Sequence, residues 1–178
     1  MESKTSLFRS DSILIPIKIV SIYIAWKIFH HFASVESTGL NIFWKQLCEV
    51  FGTAYAVITA KMLVLFGQKA YSSGINIYLA QQKEIWVQEH CLAIPAKVIF
   101  VGSILSFHGK WKDKFLFIVI GLMGIILINI ARLIFVSLAW LYFPLYFFDM
   151  NHSLIYAVLA YGFIFFMIRW WIKRQIGN

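Results

Sequence analysis

The sequence predicts an all-α polytopic membrane protein of about four to five transmembrane or membrane-associated helices with a short extracytoplasmic β-hairpin. Three observations carry that prediction. Of the 178 residues, 61% are hydrophobic and only 13% charged, and the mean hydropathy is +0.76, which leaves too few charges to coat a water-soluble domain. Several apolar runs approach the length of about 20 residues that a bilayer-spanning helix needs, and together they occupy well over half of the chain. Lys and Arg cluster beside these runs, as they do in cytoplasmic segments of membrane proteins. The net charge of +8 therefore orients the chain and meets anionic lipid, and membrane lipids rather than nucleic acid are the expected contact. With no repeat, low-complexity tract or linker visible, residues 1–178 read as one integral membrane domain.

The first apolar run, from about Ile13 to Phe32, is read as an uncleaved span, because His30-His31-Phe32-Ala33-Ser34-Val35-Glu36 offers no small-residue cleavage site. Further spans are expected over Leu92 to Phe107, Phe115 to Tyr142 and Ser153 to Ile172. A weaker run, Gln46 to Gly67, carries a polar or small stripe of Gln46, Glu49, Thr53, Ala56 and Ala60 at helical spacing, which suits an interfacial helix or one packed on other spans. Lys110, Lys112 and Lys114 in one link, and Lys173 and Arg174 after the last span, place both on the cytoplasmic side. Lys4, Arg9 and Lys18 against Glu2 and Asp11 draw the N-terminus to the same side. An odd number of crossings must then precede Cys91, which favours four spans and one outer-surface helix over five spans. Between that helix and Cys91, Ile75 to Leu79 and Glu84 to Gln88 alternate with period two around a Gln81-Gln82-Lys83 turn, with Gly74 opening the first strand of a hairpin.

The basic link serves as the origin of a ruler, since a helix rises about 1.5 Å per residue. Cys91 precedes Trp111 by about 20 residues and Arg132 follows it by about 21, so both lie roughly 30 Å from the cytoplasmic side. Counting back from the basic cluster at the end of the chain puts His152 at the same level. Asn129 and Arg132, at i and i+3, share a helix face, and polar groups in so apolar a run face a bundle interior or a water-filled cavity. A thiol becomes a useful nucleophile as thiolate, which a neighbouring cation stabilises. His152 would act as acid and base, and Arg132 would stabilise an oxyanion or the thiolate. Backbone N–H groups at the start of the Cys91 helix would assist. The chemistry so assembled is covalent acyl transfer through a thioester.

Each residue also has a plainer reading. Cys91 is small apolar filler, Arg132 an interfacial anchor and His152 a helix cap, while Cys48 within the amphipathic helix stays as filler. Two cysteines make no disulfide framework. His30, His31, His90 and His108 lack the spacing of a metal site, so neither metal nor cofactor is expected. Trp111, Trp140, Tyr142, Trp170 and Trp171 are read as an interfacial belt.

In order along the chain, Glu89-His90-Cys91-Leu92-Ala93, Gly109-Lys110-Trp111-Lys112, Asn129-Ile130-Ala131-Arg132 and His152 resemble the exosortase/archaeosortase family over roughly Gly74 to the C-terminus. The resemblance implies a membrane-embedded cysteine protease or transpeptidase with Cys91 as nucleophile, Arg132 as electrostatic stabiliser and His152 as acid/base. One departure stands out: family members usually have a small residue and glycine after the cysteine, where this chain has Leu92-Ala93. The implied substrates are exported proteins ending in a sorting tail of short motif, transmembrane helix and basic cluster. These would be cleaved at the outer interface of the cytoplasmic membrane, with transfer to a polysaccharide or lipid acceptor as a further step. The alternative is a non-enzymatic membrane subunit of a polysaccharide or protein export system, in which Asn129 and Arg132 bind another helix.

Overall fold

A computed structural model describes the backbone at residues 2–36, 38–107, 109–142 and 145–176, and the side chains at residues 17–36, 38–80, 82–107, 109–142 and 158–174. Helix α1 (Glu2–Ser34) is followed by α2 (Gly39–Leu65), three short strands, a 3-10 turn over Glu89–Leu92, and helices α3 (Ile94–Ser106), α4 (Trp111–Tyr142) and α5 (Leu145–Ile176). The chain is thus mostly helical, as its apolar runs require.

Helix α1 ends and α2 begins through polar side chains. The Asn41 backbone N–H donates to Thr38 Oγ1 at 3.1 Å, an N-cap, and Asn41 Nδ2 reaches back to the Ala33 carbonyl at 2.9 Å. Two contacts fix the direction of α1. Lys18 Nζ lies 3.4 Å from the Ser106 carbonyl, beside the α3–α4 link, whereas His30 meets Glu89 beside the strands. The earlier part of α1 therefore shares the end of the molecule that carries Lys110, Lys112 and Lys114.

Helices α3, α4 and α5 pack around Phe100, Ile104, Phe117, Ile125, Ile168 and Trp171. Close approach of α3 and α4 depends on Gly121: a Cβ there would sit 2.0 Å from Phe100 Cζ. Trp171, expected in the interfacial belt, is instead fully buried, its ring centroid 5.0 Å from that of Phe117. Trp111 and Tyr142 are exposed. Phe115, Leu116, Met123, Leu127 and Phe135 line the outside of α4, an apolar surface that suits lipid rather than water.

The span expected over Leu92 to Phe107 is shorter than supposed. Ala93 adopts the left-handed conformation (φ 55°, ψ 32°) and separates the 3-10 turn from α3. At 13 residues, α3 rises only about 20 Å, less than the hydrocarbon thickness of about 30 Å. Among the described residues, α2 and α4 are the helices long and apolar enough to cross a membrane. Helix α2 is thus a better candidate by length and composition than its weak pattern implied. Its neighbours, however, are α1, β1 (Ala70–Ser73), β2 (Asn76–Leu79), the 3-10 turn and α4, and it shares a core with Ile130 and Leu133 in the later half of α4. The inward face carries Trp44, Gly52, Tyr55, Ala56, Thr59, Ala60 and Leu63. Ala56 and Ala60 of the expected stripe face inward, while Gln46 and Glu49 are exposed.

The expected hairpin is a three-stranded antiparallel sheet in the order β1-β2-β3, with β3 at Glu84–Trp86. The additional strand, β1, pairs Ala70 with Leu79 and Ser73 with Asn76. Gly74 does not open a strand. It makes the tight β1–β2 turn at φ +56°, a conformation that costs glycine little. Ile77, Leu79 and Val87 turn under the sheet and meet Tyr55, Ala56, Leu63 and Leu133. The sheet and α2 together roof one end of the α3–α4 pair.

Candidate active site

Cys91 sits in the 3-10 turn just before α3, 8% exposed, with Val87, Leu92 and Leu133 in the same core. Its backbone is held twice. The Cys91 N–H donates to the Gln88 carbonyl at 2.8 Å, and Asn129 Nδ2 donates to the Cys91 carbonyl at 2.5 Å. Asn129 is fully buried on α4, so the amide fixes the cysteine's turn against a long helix. The first of these bonds removes the Cys91 N–H from the backbone donors expected to face an oxyanion.

Asn129 and Arg132, one turn apart on α4, both lie beside Cys91. The count that put Cys91 about 20 helical residues from Trp111 does not hold, since α3 has only 13. The positive charge of Arg132 draws the Cys91 thiol's pKa down, but burial outweighs it and leaves the thiol above its ordinary value. Burial thus disfavours the thiolate that Arg132 favours. Cys91 Sγ lies 3.9 Å from the Trp86 carbonyl. His152 belongs to α5, but its side chain lies outside the described residues, as does His108.

Other nearby groups have different partners. Glu89 accepts from His30 Nε2 at 2.6 Å, an ion pair between the cysteine turn and α1 when His30 is protonated. His90 Nε2 contacts Gln88 Oε1 at 3.1 Å. Cys48 is a half-buried free thiol packed at the junction of two apolar cores. Among the described residues no cluster of three or more His, Cys, Asp and Glu side chains is placed to hold a metal ion.

Two polar residues linked to Asn129 escaped the sequence reading. Lys97 Nζ donates to Tyr55 Oη at 3.0 Å, and that hydroxyl lies beside the Asn129 amide. A polar path thus runs from α3 through α2 to the residue that grips Cys91. Lys97 had a sequence signal, a lone cation in an apolar helix, which by default marks a functional or paired group. Tyr55 had none.

A groove of about 350 Å³ opens onto the thiol, with Glu84, Ile85 and Trp86 on one wall and Leu133, Val136 and Trp140 on the other. Lys83 ties the walls together at one end, donating to the carbonyls of Trp140 at 2.7 Å and Leu141 at 3.5 Å and covering the Trp140 ring. Comparison with known protein families gives a match to the transmembrane exosortases over residues 21–171. The chain belongs to that family. Comparisons with curated proteins and with solved structures give no match. Membership of the transmembrane exosortases agrees with the exposed apolar faces of α2 and α4 and makes the chain a membrane protein. The exosortase match also extends well upstream of Gly74, taking in α2 and the later part of α1.

Proposed function

We propose that this exosortase is a membrane-embedded cysteine protease or transpeptidase that cleaves C-terminal sorting tails of exported proteins. The observation that carries the reading is buried Cys91, its backbone carbonyl held by Asn129 and its thiol under the charge of Arg132 beside a groove. Because burial disfavours the thiolate, attack needs a base, and His152 takes that role. Cys91 Sγ bonds to the scissile carbonyl carbon as its proton passes to His152. Arg132 stabilises the oxyanion of the tetrahedral intermediate. Collapse breaks the C–N bond, and His152 protonates the leaving amine. The remaining thioester is then resolved by water, giving hydrolysis, or by a nucleophile on a polysaccharide or lipid acceptor, giving transfer.

The site works on the extracytoplasmic side of the cytoplasmic membrane, with the C-terminus and the Lys110–Lys114 link inside. A substrate anchored by its own helix and basic tail would present its motif at that level. The test is processing in cells of an exported protein that ends in motif, apolar helix and basic tail. Cys91→Ala and Cys91→Ser should insert normally and leave the precursor uncleaved. Normal maturation in either variant sinks the proposal.

A further inference from the structure

The pairing of β2 with β3 determines which backbone groups of β3 are committed. Ile77 stands opposite Ile85, with Asn76 opposite Trp86 and Tyr78 opposite Glu84. On either side, the Leu79 N–H donates to the Lys83 carbonyl at 2.8 Å and the Val87 N–H to the Ile75 carbonyl at 2.9 Å. Hydrogen-bonded and non-hydrogen-bonded pairs alternate along an antiparallel ladder. Lys83, Ile85 and Val87 therefore face β2, and the N–H and C=O of Glu84 and Trp86 point to the outer edge. The Trp86 carbonyl bears this out independently, since it lies 3.9 Å from Cys91 Sγ, on the side away from β2.

Strand β3 is the last in the sheet, and among the described residues no strand pairs with its outer edge. That edge forms one wall of the groove that contains Cys91. Outward N–H and C=O groups two residues apart repeat at about 6.8 Å. The Trp86 carbonyl accepts from the Cys91 thiol, a weak bond that a peptide N–H can replace, and groups of this kind are costly to leave unpaired near a membrane. An occupant that matches them must carry donors and acceptors at the same repeat and be slim enough to lie between β3 and α4. Extended polypeptide has that pattern, and strand addition to a free sheet edge is a general mode of peptide recognition.

We propose that the cleaved segment of the substrate binds as an added strand on the outer edge of β3. Its backbone pairs with Glu84 and Trp86, and its scissile carbonyl lies at Cys91 Sγ. The inference rests on Cys91 being the nucleophile and adds how the peptide is held. Main-chain bonds supply affinity, and only alternate side chains of the substrate are read.

The test uses full-length protein in detergent and two reagents for the same thiol, acetyl-trialanyl chloromethyl ketone and iodoacetamide, with the label on Cys91 quantified by mass spectrometry. Glu84→Pro removes one outward N–H without touching the β2 ladder, an edge position where proline is tolerated. Glu84→Ala removes the same carboxylate and keeps the N–H. The peptidyl-to-iodoacetamide rate ratio should be about tenfold lower in E84P than in E84A, the worth of about one hydrogen bond. On the unaltered protein, N-methylating the reagent's backbone should produce a similar loss. Equal ratios in E84P and E84A, or an N-methylated reagent as fast as the parent, overturn strand addition. If E84P disturbs the sheet and slows both reagents, the N-methylated reagent decides the matter alone. Failure of the protease reading appears elsewhere, as normal substrate maturation in C91A, and leaves these labelling ratios untouched.

Discussion

The two ends of the α3–α4 pair are built on different principles. Away from the sheet, Phe100, Ile104, Phe117, Ile125 and Trp171 fill the space between helices, and glycines admit the rings. Toward the sheet, the apolar core of Tyr55, Ile77, Val87, Leu92 and Leu133 encloses Asn129, with Cys91, Tyr55 and Lys97 linked to it by polar contacts. Shape complementarity holds the first end. The second depends on directional bonds, which fix where a carbonyl or a thiol points and are expensive to break when buried. Damage to the first end should change how much protein folds, and damage to the second how fast each folded molecule works.

The sharpest break of that contrast is Asn129→Ala. Removing a buried hydrogen-bond partner costs about 1–3 kcal/mol of stability. With Cys91 as the proposed nucleophile, loss of its position should lower processing per folded molecule at least about 100-fold, the scale of a 1 Å misplacement. Processing measured against folded enzyme checks this, and an unchanged specific rate would remove Asn129 from the site. In the other region, Gly121→Ala should cost about 1–3 kcal/mol by overpacking against Phe100, lowering abundance and thermal midpoint while the rate per folded molecule holds. A specific-rate loss as large as that of N129A would erase the distinction between the two ends.

Arg132→Gln sharpens the electrostatic half of the comparison. Arg132 stabilises the thiolate and lowers the Cys91 pKa, so its removal raises that pKa further and moves the iodoacetamide labelling profile to higher pH. At a fixed pH below the transition, the labelling rate follows the thiolate fraction and should fall about tenfold if the transition moves up by about one pH unit. The smallest effect is expected at Ala93, whose φ of +55° stands where the family pattern has glycine. An L-residue in this conformation costs about 1–2 kcal/mol, and the greater freedom of unfolded glycine offsets part of the relief. Ala93→Gly should therefore raise the thermal midpoint by the equivalent of up to about 1 kcal/mol.

Much of the bundle end was legible because its determinants are local and periodic. Apolar runs marked the long helices, and basic clusters marked their ends. That Asn129 and Arg132 share a face followed from helical spacing, whereas the count to Cys91 ran through α3 as one continuous helix, which the break at Ala93 interrupts. Strand β1 was not legible: Ala70-Tyr71-Ser72-Ser73 has weak alternation, and pairing with β2 makes it a strand. Tyr55 reads in sequence as one more aromatic on an amphipathic helix, and only the approach of α2 to α4 gives its hydroxyl a role. Trp171 misled because an aromatic near a span end suits a membrane interface, yet its face of α5 turns toward Phe117. The break between Cys91 and α3 was hidden because Ala93 is a good helix former, held left-handed by the turn before it and the helix after it.

The strap from Lys83 to the end of α4 has a consequence of its own. Strand and helix pack on a shared core, and at that end one lysyl side chain also bridges them. For a peptide bound as proposed, the gap would act as a gauge that sorts chains by girth before any side chain is read. A shorter residue at position 83 would release the walls and relax that sorting, even though Lys83 stands apart from the reacting atoms.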